Sequence, residues 1–190
     1  MNELDERYSV ADEAIFDAFF ILVREKGLDK VTVADVTKKA GVVRSTFYNH
    51  YENIPALIVA AEAKTINDIF TMMESFHPHN DRDICKSFFV AICNYTKSNP
   101  FLTDLLESAR GDNFFEKAIV MLHDYVSKTM DTLPSNGDNK KSASFIIAGS
   151  IGATIGILHK WIAEDFASSS EEVAEILTNL FMSGIMPHLS

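Results

Sequence analysis

Between Arg44 and His50 the chain places six hydrogen-bonding side chains in seven residues: Arg44, Ser45, Thr46, Tyr48, Asn49 and His50, interrupted only by Phe47. A guanidinium, hydroxyls, a carboxamide and an imidazole on one short segment have little reason to serve a plain structural hairpin. Turned to solvent, they can pair with donor and acceptor atoms on a flat surface. Residues of these types at the N-terminal part of a helix read base edges in the DNA major groove.

The flanking sequence supplies elements that would hold such a ridge outward. Residues 31–57 read VTVADVTKKAGVVRSTFYNHYENIPAL. Thr32 followed by Asp35 has the spacing of a capping box and opens a helix to Ala40. Gly41 allows a turn with positive φ, and a second short helix runs from about Arg44 to His50. Two short helices about Ala40-Gly41-Val42 form the layout of a helix-turn-helix. Val33, Val36, Ala40, Val42 and Phe47 would make the small core between them. A preceding helix, from about Ser9 to Lys26, carries an apolar stripe through Val10, Ala14, Ile15, Ala18, Phe19, Leu22 and Val23, and Gly27 closes it.

This region closely resembles the TetR family of transcriptional regulators. The resemblance spans roughly residues 8 to 60 and rests on Thr32, the Ala40-Gly41-Val42 turn, the Thr46-Phe47-Tyr48-x-His50-Tyr51 run and Leu57. Ala148-Gly149 through Gly152, Gly156 and Trp161 resembles the C-terminal subtype found in dihydroxyacetone-kinase-operon regulators. The resemblance implies a homodimer on a pseudo-palindromic double-stranded operator, usually a repressor released by a small effector. It implies that Thr46, Tyr48 and His50 contact phosphates and that Thr32 presents a helix N-terminus to the backbone. Arg44, Ser45 and Asn49 would then face bases, Arg44 suiting guanine and Asn49 adenine. A transcriptional activator or adaptor working through a protein partner is the other function compatible with the subtype. Two positions depart from the family pattern. Val43 replaces the usual capping serine, and Ile54 replaces a lysine that often meets phosphate. Both point to weaker affinity or altered docking.

The remainder reads as amphipathic helices, about nine in the whole chain. The expected fold is all-α, TetR-like: a three-helix helix-turn-helix domain over residues 1–53 and a helical ligand-binding and dimerisation bundle over 54–190, with 54–76 as connector. Recognition helices must enter successive major grooves about 34 Å apart, so the connector would act as the lever that an effector moves. The loop Leu133–Asp138 separates two helices, and Arg110-Gly111 reads as a helix stop before a cap at Asn113. Phe88, Ile92, Tyr95, Phe115, Leu122, Tyr125 and His159 are candidates to line an effector cavity. The aromatic stripe fits plain core as well, and His159 fits an interface. Gly149, Gly152, Ala153 and Gly156 share one helix face. Glycine weakens a helix interior by about 1 kcal/mol relative to alanine, so the stripe suggests close approach of another backbone. The expected dimer interface therefore combines Gly149, Gly152 and Gly156 with Val173, Ile176, Leu177, Leu180 and Phe181 of the last helix, capped by Ser169 and Glu172. Close packing within one subunit is the alternative.

Composition narrows the remaining classes. The net charge is −10, but residues 30–50 carry +3 and residues 1–29 carry −5. DNA binding requires a local positive face rather than a basic chain, while the acidic flank should lower non-specific affinity. Cys85 and Cys93 lie eight residues apart on one helix, too far to bridge. The acidic stretch Met1–Glu6 contains no export signal, and Phe145–Leu158 is too short to span a bilayer. A cytoplasmic protein without membrane attachment is expected. His77 and His79 flank Pro78 without the spacing of a metal site. No nucleophile elbow, phosphate loop, HExxH motif or dinucleotide fingerprint occurs, so neither an enzyme nor a cofactor is expected.

Overall fold

A computed structural model describes residues 3–77, 81–108, 111–130 and 139–185, and no strand occurs among them. Among the described residues nine α-helices follow in order: α1 (Glu3–Lys26), α2 (Val33–Ala40), α3 (Arg44–His50), α4 (Ile54–Phe76), α5 (Arg82–Ser98), α6 (Pro100–Glu107), α7 (Gly111–Met130), α8 (Asn139–Ala163) and α9 (Ser170–Leu180). A 3-10 turn covers Leu28–Lys30, and a wide π turn continues α9 over Phe181–Ile185. The helix start expected at Ser9 lies further upstream, at Glu3. α7 begins at Gly111, ahead of the cap expected at Asn113. The expected loop Leu133–Asp138 falls outside the described residues.

The chain forms two compact units: Met1–Thr65 with Asn99–Asp104, and Ile66–Ser98 with Leu105–Ser190. The division between these units lies within α4, and a short piece of α6 belongs with the N-terminal unit. Phe101 explains that piece. It is fully buried, with its ring 5.6 Å from Phe19 and 5.7 Å from Phe20. Asp104 adds a tie by accepting the Leu28 N–H at 3.0 Å. Around them Ile15, Val23, Val36, Phe47 and Leu57 are buried. Asn53 accepts the Ala56 N–H at 2.9 Å and caps α4, as its position before Pro55 suggests.

In the C-terminal unit α5 packs along α9, and α7 along α8. Its core contains Met73, Phe88, Phe89, Ile92, Leu158, Trp161, Val173 and Leu177. Arg82 reaches both Glu175 and Asn179, the latter at 2.8 Å, and Lys86 pairs with Glu175 at 2.9 Å. Burial pushes the Cys85 thiol up to about 11 and the Cys93 thiol to about 12, which keeps both neutral. α9 opens on the expected box, with Ser169 accepting from Glu172 N–H and Glu172 accepting from Ser169 N–H. The α8–α9 turn is unusual: Asp165 and Phe166 have φ of 52° and 56°. Phe166 is seated edge-on to Trp161 at 4.9 Å, and the Trp161 indole N–H donates to the Ser168 carbonyl at 2.9 Å. Among the described residues no helix is long and apolar enough to cross a membrane.

Candidate nucleic-acid interface

The exposed polar ridge of α3 rests on two buried anchors. Val36 of α2 and Phe47 of α3 are fully buried, while Val33, Ala40 and Val42 are half-buried beside them. Between the helices Gly41 adopts a left-handed conformation with φ 68°, and its N–H bonds to the Thr37 carbonyl. α3 starts after Val43, whose backbone is extended and whose side chain makes no capping bond. With Phe47 fixed inward, Arg44, Ser45, Tyr48 and Asn49 face solvent, and Thr46 is half-buried. Tyr48 is 53% exposed although its ring lies 5.6 Å from Phe47.

His50 is placed differently. Its side chain is only 3% exposed, and Nδ1 lies 3.3 Å from the Asp12 carboxylate of α1. The Tyr51 hydroxyl donates to the same Asp12 oxygen at 2.5 Å. The C-terminal end of α3 is thus fastened to α1. Asp12 was not visible as part of this site, because nothing in local spacing joins residues 38 positions apart.

Thr32 is engaged within its own helix cap. Its hydroxyl accepts the Asp35 N–H at 3.3 Å, and its N–H donates to the Asp35 carboxylate at 3.1 Å. Lys26 joins that carboxylate. The Lys26 ammonium, with the Thr32 hydroxyl next in weight, lowers Asp35 from 3.8 to about 2. Lys39 is paired with Glu25 at 2.7 Å. Lys30, Lys38 and Arg44 remain exposed and, among the described residues, form no ion pair. The positive charge of this unit is therefore concentrated on fewer groups than the sequence count suggests.

Comparison with known proteins follows the same line. Residues 9–61 match the family model for bacterial regulatory proteins, tetR family, and residues 83–183, over half the chain, match that for a transcriptional regulator C-terminal region. The chain belongs to the TetR family. It is 34% identical over 71 residues to the uncharacterized HTH-type transcriptional regulator YvdT of Bacillus subtilis, a match covering 37% of this chain and only 36% of that relative. The dihydroxyacetone kinase operon activator DhaS has the same fold, with a TM-score of 0.68 at 18% identity over 92% of this chain and 96% of that one. FadR from Bacillus halodurans, a fatty acid degradation regulator, gives 0.66 at 14% identity over 92% and 96%. FadR from Bacillus subtilis in complex with stearoyl-CoA gives 0.64 at 17% over 91% and 98%.

In the C-terminal unit of this TetR-family regulator the remaining candidates separate. Phe88 and Ile92 lie in the packed core, with Leu122 and Tyr125 against it. Tyr125 meets Phe70 edge-on at 6.0 Å, and the Tyr95 hydroxyl donates to Asp68 at 3.0 Å. Phe115 lies against α8, and His159 is exposed. On α9, Val173 and Leu177 are buried in the chain's own core, and Phe181 packs on Phe89 at 5.9 Å. Ile176 and Leu180 point outward, 55% and 38% exposed. Gly149 and Gly156 are exposed, and a Cβ on either would meet nothing within 4 Å. A Cβ on Gly152 would lie 3.7 Å from the Phe115 ring. Among the described residues no group of three or more His, Cys, Asp or Glu could hold a metal ion.

Proposed function

We propose that this TetR-family regulator is a repressor that binds a pseudo-palindromic operator as a homodimer and is released by a small effector held in its C-terminal unit. The observation that carries the reading is the outward set Arg44, Ser45, Tyr48 and Asn49 on a helix fixed by buried Phe47. Arg44 and Asn49 address base edges, with Ser45 beside them, while Thr46 and Tyr48 hold phosphates. Lys30 and Lys38 add positive charge to the same unit. Thr32 serves by fixing the start of α2, and His50 by holding α3 against α1 through Asp12. Gly149 and Gly156 on α8, with Ile176 and Leu180 on α9, form the surface that meets a second copy.

The effector is apolar in this reading, because its candidate walls are mainly aromatic and aliphatic. Acyl-CoA thioesters are the first ligands to try, since the Bacillus subtilis FadR neighbour was solved with stearoyl-CoA. Each unit contributes part of α4, so this helix is the element through which an effector would reset the spacing of the two recognition helices. A second reading, activation of transcription through a protein partner, is favoured by the similarity to DhaS, which is named an operon activator.

Random-site selection with the purified full chain tests the core of this proposal. The expected product is a two-fold symmetric site with half-sites about one helical turn apart, bound by two chains. Absence of any enriched sequence at low ionic strength would count decisively against it. Repression and activation then separate in a reporter assay on the selected site.

A further inference from the structure

Val43 is an aliphatic residue on the surface assigned to DNA, 66% exposed and followed directly by Arg44 and Ser45. It also occupies the N-cap of α3, where a hydroxyl, carboxylate or carboxamide would accept a backbone N–H, and it makes no such bond. Two stabilising options are thus forgone at one position: the capping bond and burial of the side chain. Single exposed apolar residues are common on protein surfaces, but this one precedes the guanidinium placed to read bases. Its backbone is extended, with φ −79° and ψ 156°, so the isopropyl group projects from before the first helical turn. β-Branching restricts χ1, which presents two methyl groups with little entropy left to lose.

The major groove offers one prominent apolar target, the C5 methyl of thymine. We infer that Val43 reads the methyl group of a thymine neighbouring the base approached by Arg44, and so determines operator specificity at that position. The contact is made by the side chain and needs nothing from the amides of α3. It rests on the DNA-binding function proposed above.

Deoxyuridine supplies the test, because it removes that methyl and keeps every hydrogen-bonding group. Operator fragments selected by the full chain are rebuilt with each thymine replaced in turn, and affinity is measured by fluorescence anisotropy. The expected result is one thymine per half-site whose replacement weakens binding about fourfold, the value of one buried methyl, and about sixteenfold for the symmetric pair. Val43→Ala and Val43→Ser should bind the thymine and uracil forms equally at that position. Val43→Ser can regain a cap, so it should melt no lower than the parent, which separates lost contact from lost fold. The assignment is overturned if no thymine is sensitive in the parent, or if the sensitivity survives unchanged in both variants. Failure to select any DNA would instead bring down the DNA-binding function itself, and this assignment with it.

Discussion

Replacing Gly149 and Gly156 together by alanine distinguishes a surface made for a partner from one that is merely small. Within the protomer both changes are free of steric cost, since neither Cβ would meet an atom within 4 Å. Each should strengthen α8 by about 1 kcal/mol, about 2 kcal/mol per chain. At a two-fold interface every substitution occurs twice, so four methyl groups enter the contact. Overpacking a close interface costs at least about 1 kcal/mol per added group, or about 4 kcal/mol in total. That corresponds to roughly a thousandfold weaker dimer. Sedimentation velocity over a dilution series should find the variant monomeric where the parent is paired, while urea unfolding of the diluted protomers shows a more stable chain. A double variant that pairs as tightly as the parent refutes the reasoning and moves the interface off this stripe. Gly152 is less suited to the purpose, because a Cβ there would already be in van der Waals contact with Phe115 of the same chain.

Other expectations follow from the reading head and from the turn before α9. Arg44→Ala should cost about 1–3 kcal/mol in operator affinity and relax one base position in a repeated selection, whereas Tyr48→Phe should weaken all sequences alike. The Asp35 carboxyl is held at about 2 against an ordinary 3.8, first by Lys26 and then by Thr32. A depressed folded value means that its contribution to stability is complete above 3.8 and is lost as pH falls through about 2. Asp35→Asn should therefore flatten the melting temperature against pH across that acid window, as read by circular dichroism. Asp165→Gly should stabilise the chain by about 1 kcal/mol, seen as a melting temperature raised by roughly 2–4 °C, because it relieves a left-handed conformation at φ 52° without touching the Trp161–Phe166 contact.

The helix-turn-helix was legible in advance because its determinants are short-range. The Thr32–Asp35 and Ser169–Glu172 boxes are bonds between residues three apart, and the Gly41 turn is a property of one residue. The outward set on α3 follows once Phe47 is recognised as the buried position. α9 shows where this stops. Its apolar residues look like one seam, yet Val173 and Leu177 turn into the chain's own core while Ile176 and Leu180 turn away from it. Hydrophobic spacing states that a face avoids water, not which body will cover it.

The amino-acid order alone determined the helices, their caps and the polar ridge from Arg44 to Asn49, since 3.6-residue periodicity and capping bonds are written within a few positions of each other. Tertiary structure alone decided that His50 turns to Asp12, that Phe101 and Asp104 join the N-terminal unit, and that Gly152 faces Phe115 whereas Gly149 and Gly156 stay open. These contacts join positions 37 to 82 apart in the chain. Which side chains meet across such separations is set by how whole helices pack, a choice to which every buried residue contributes and which no single stretch of sequence encodes.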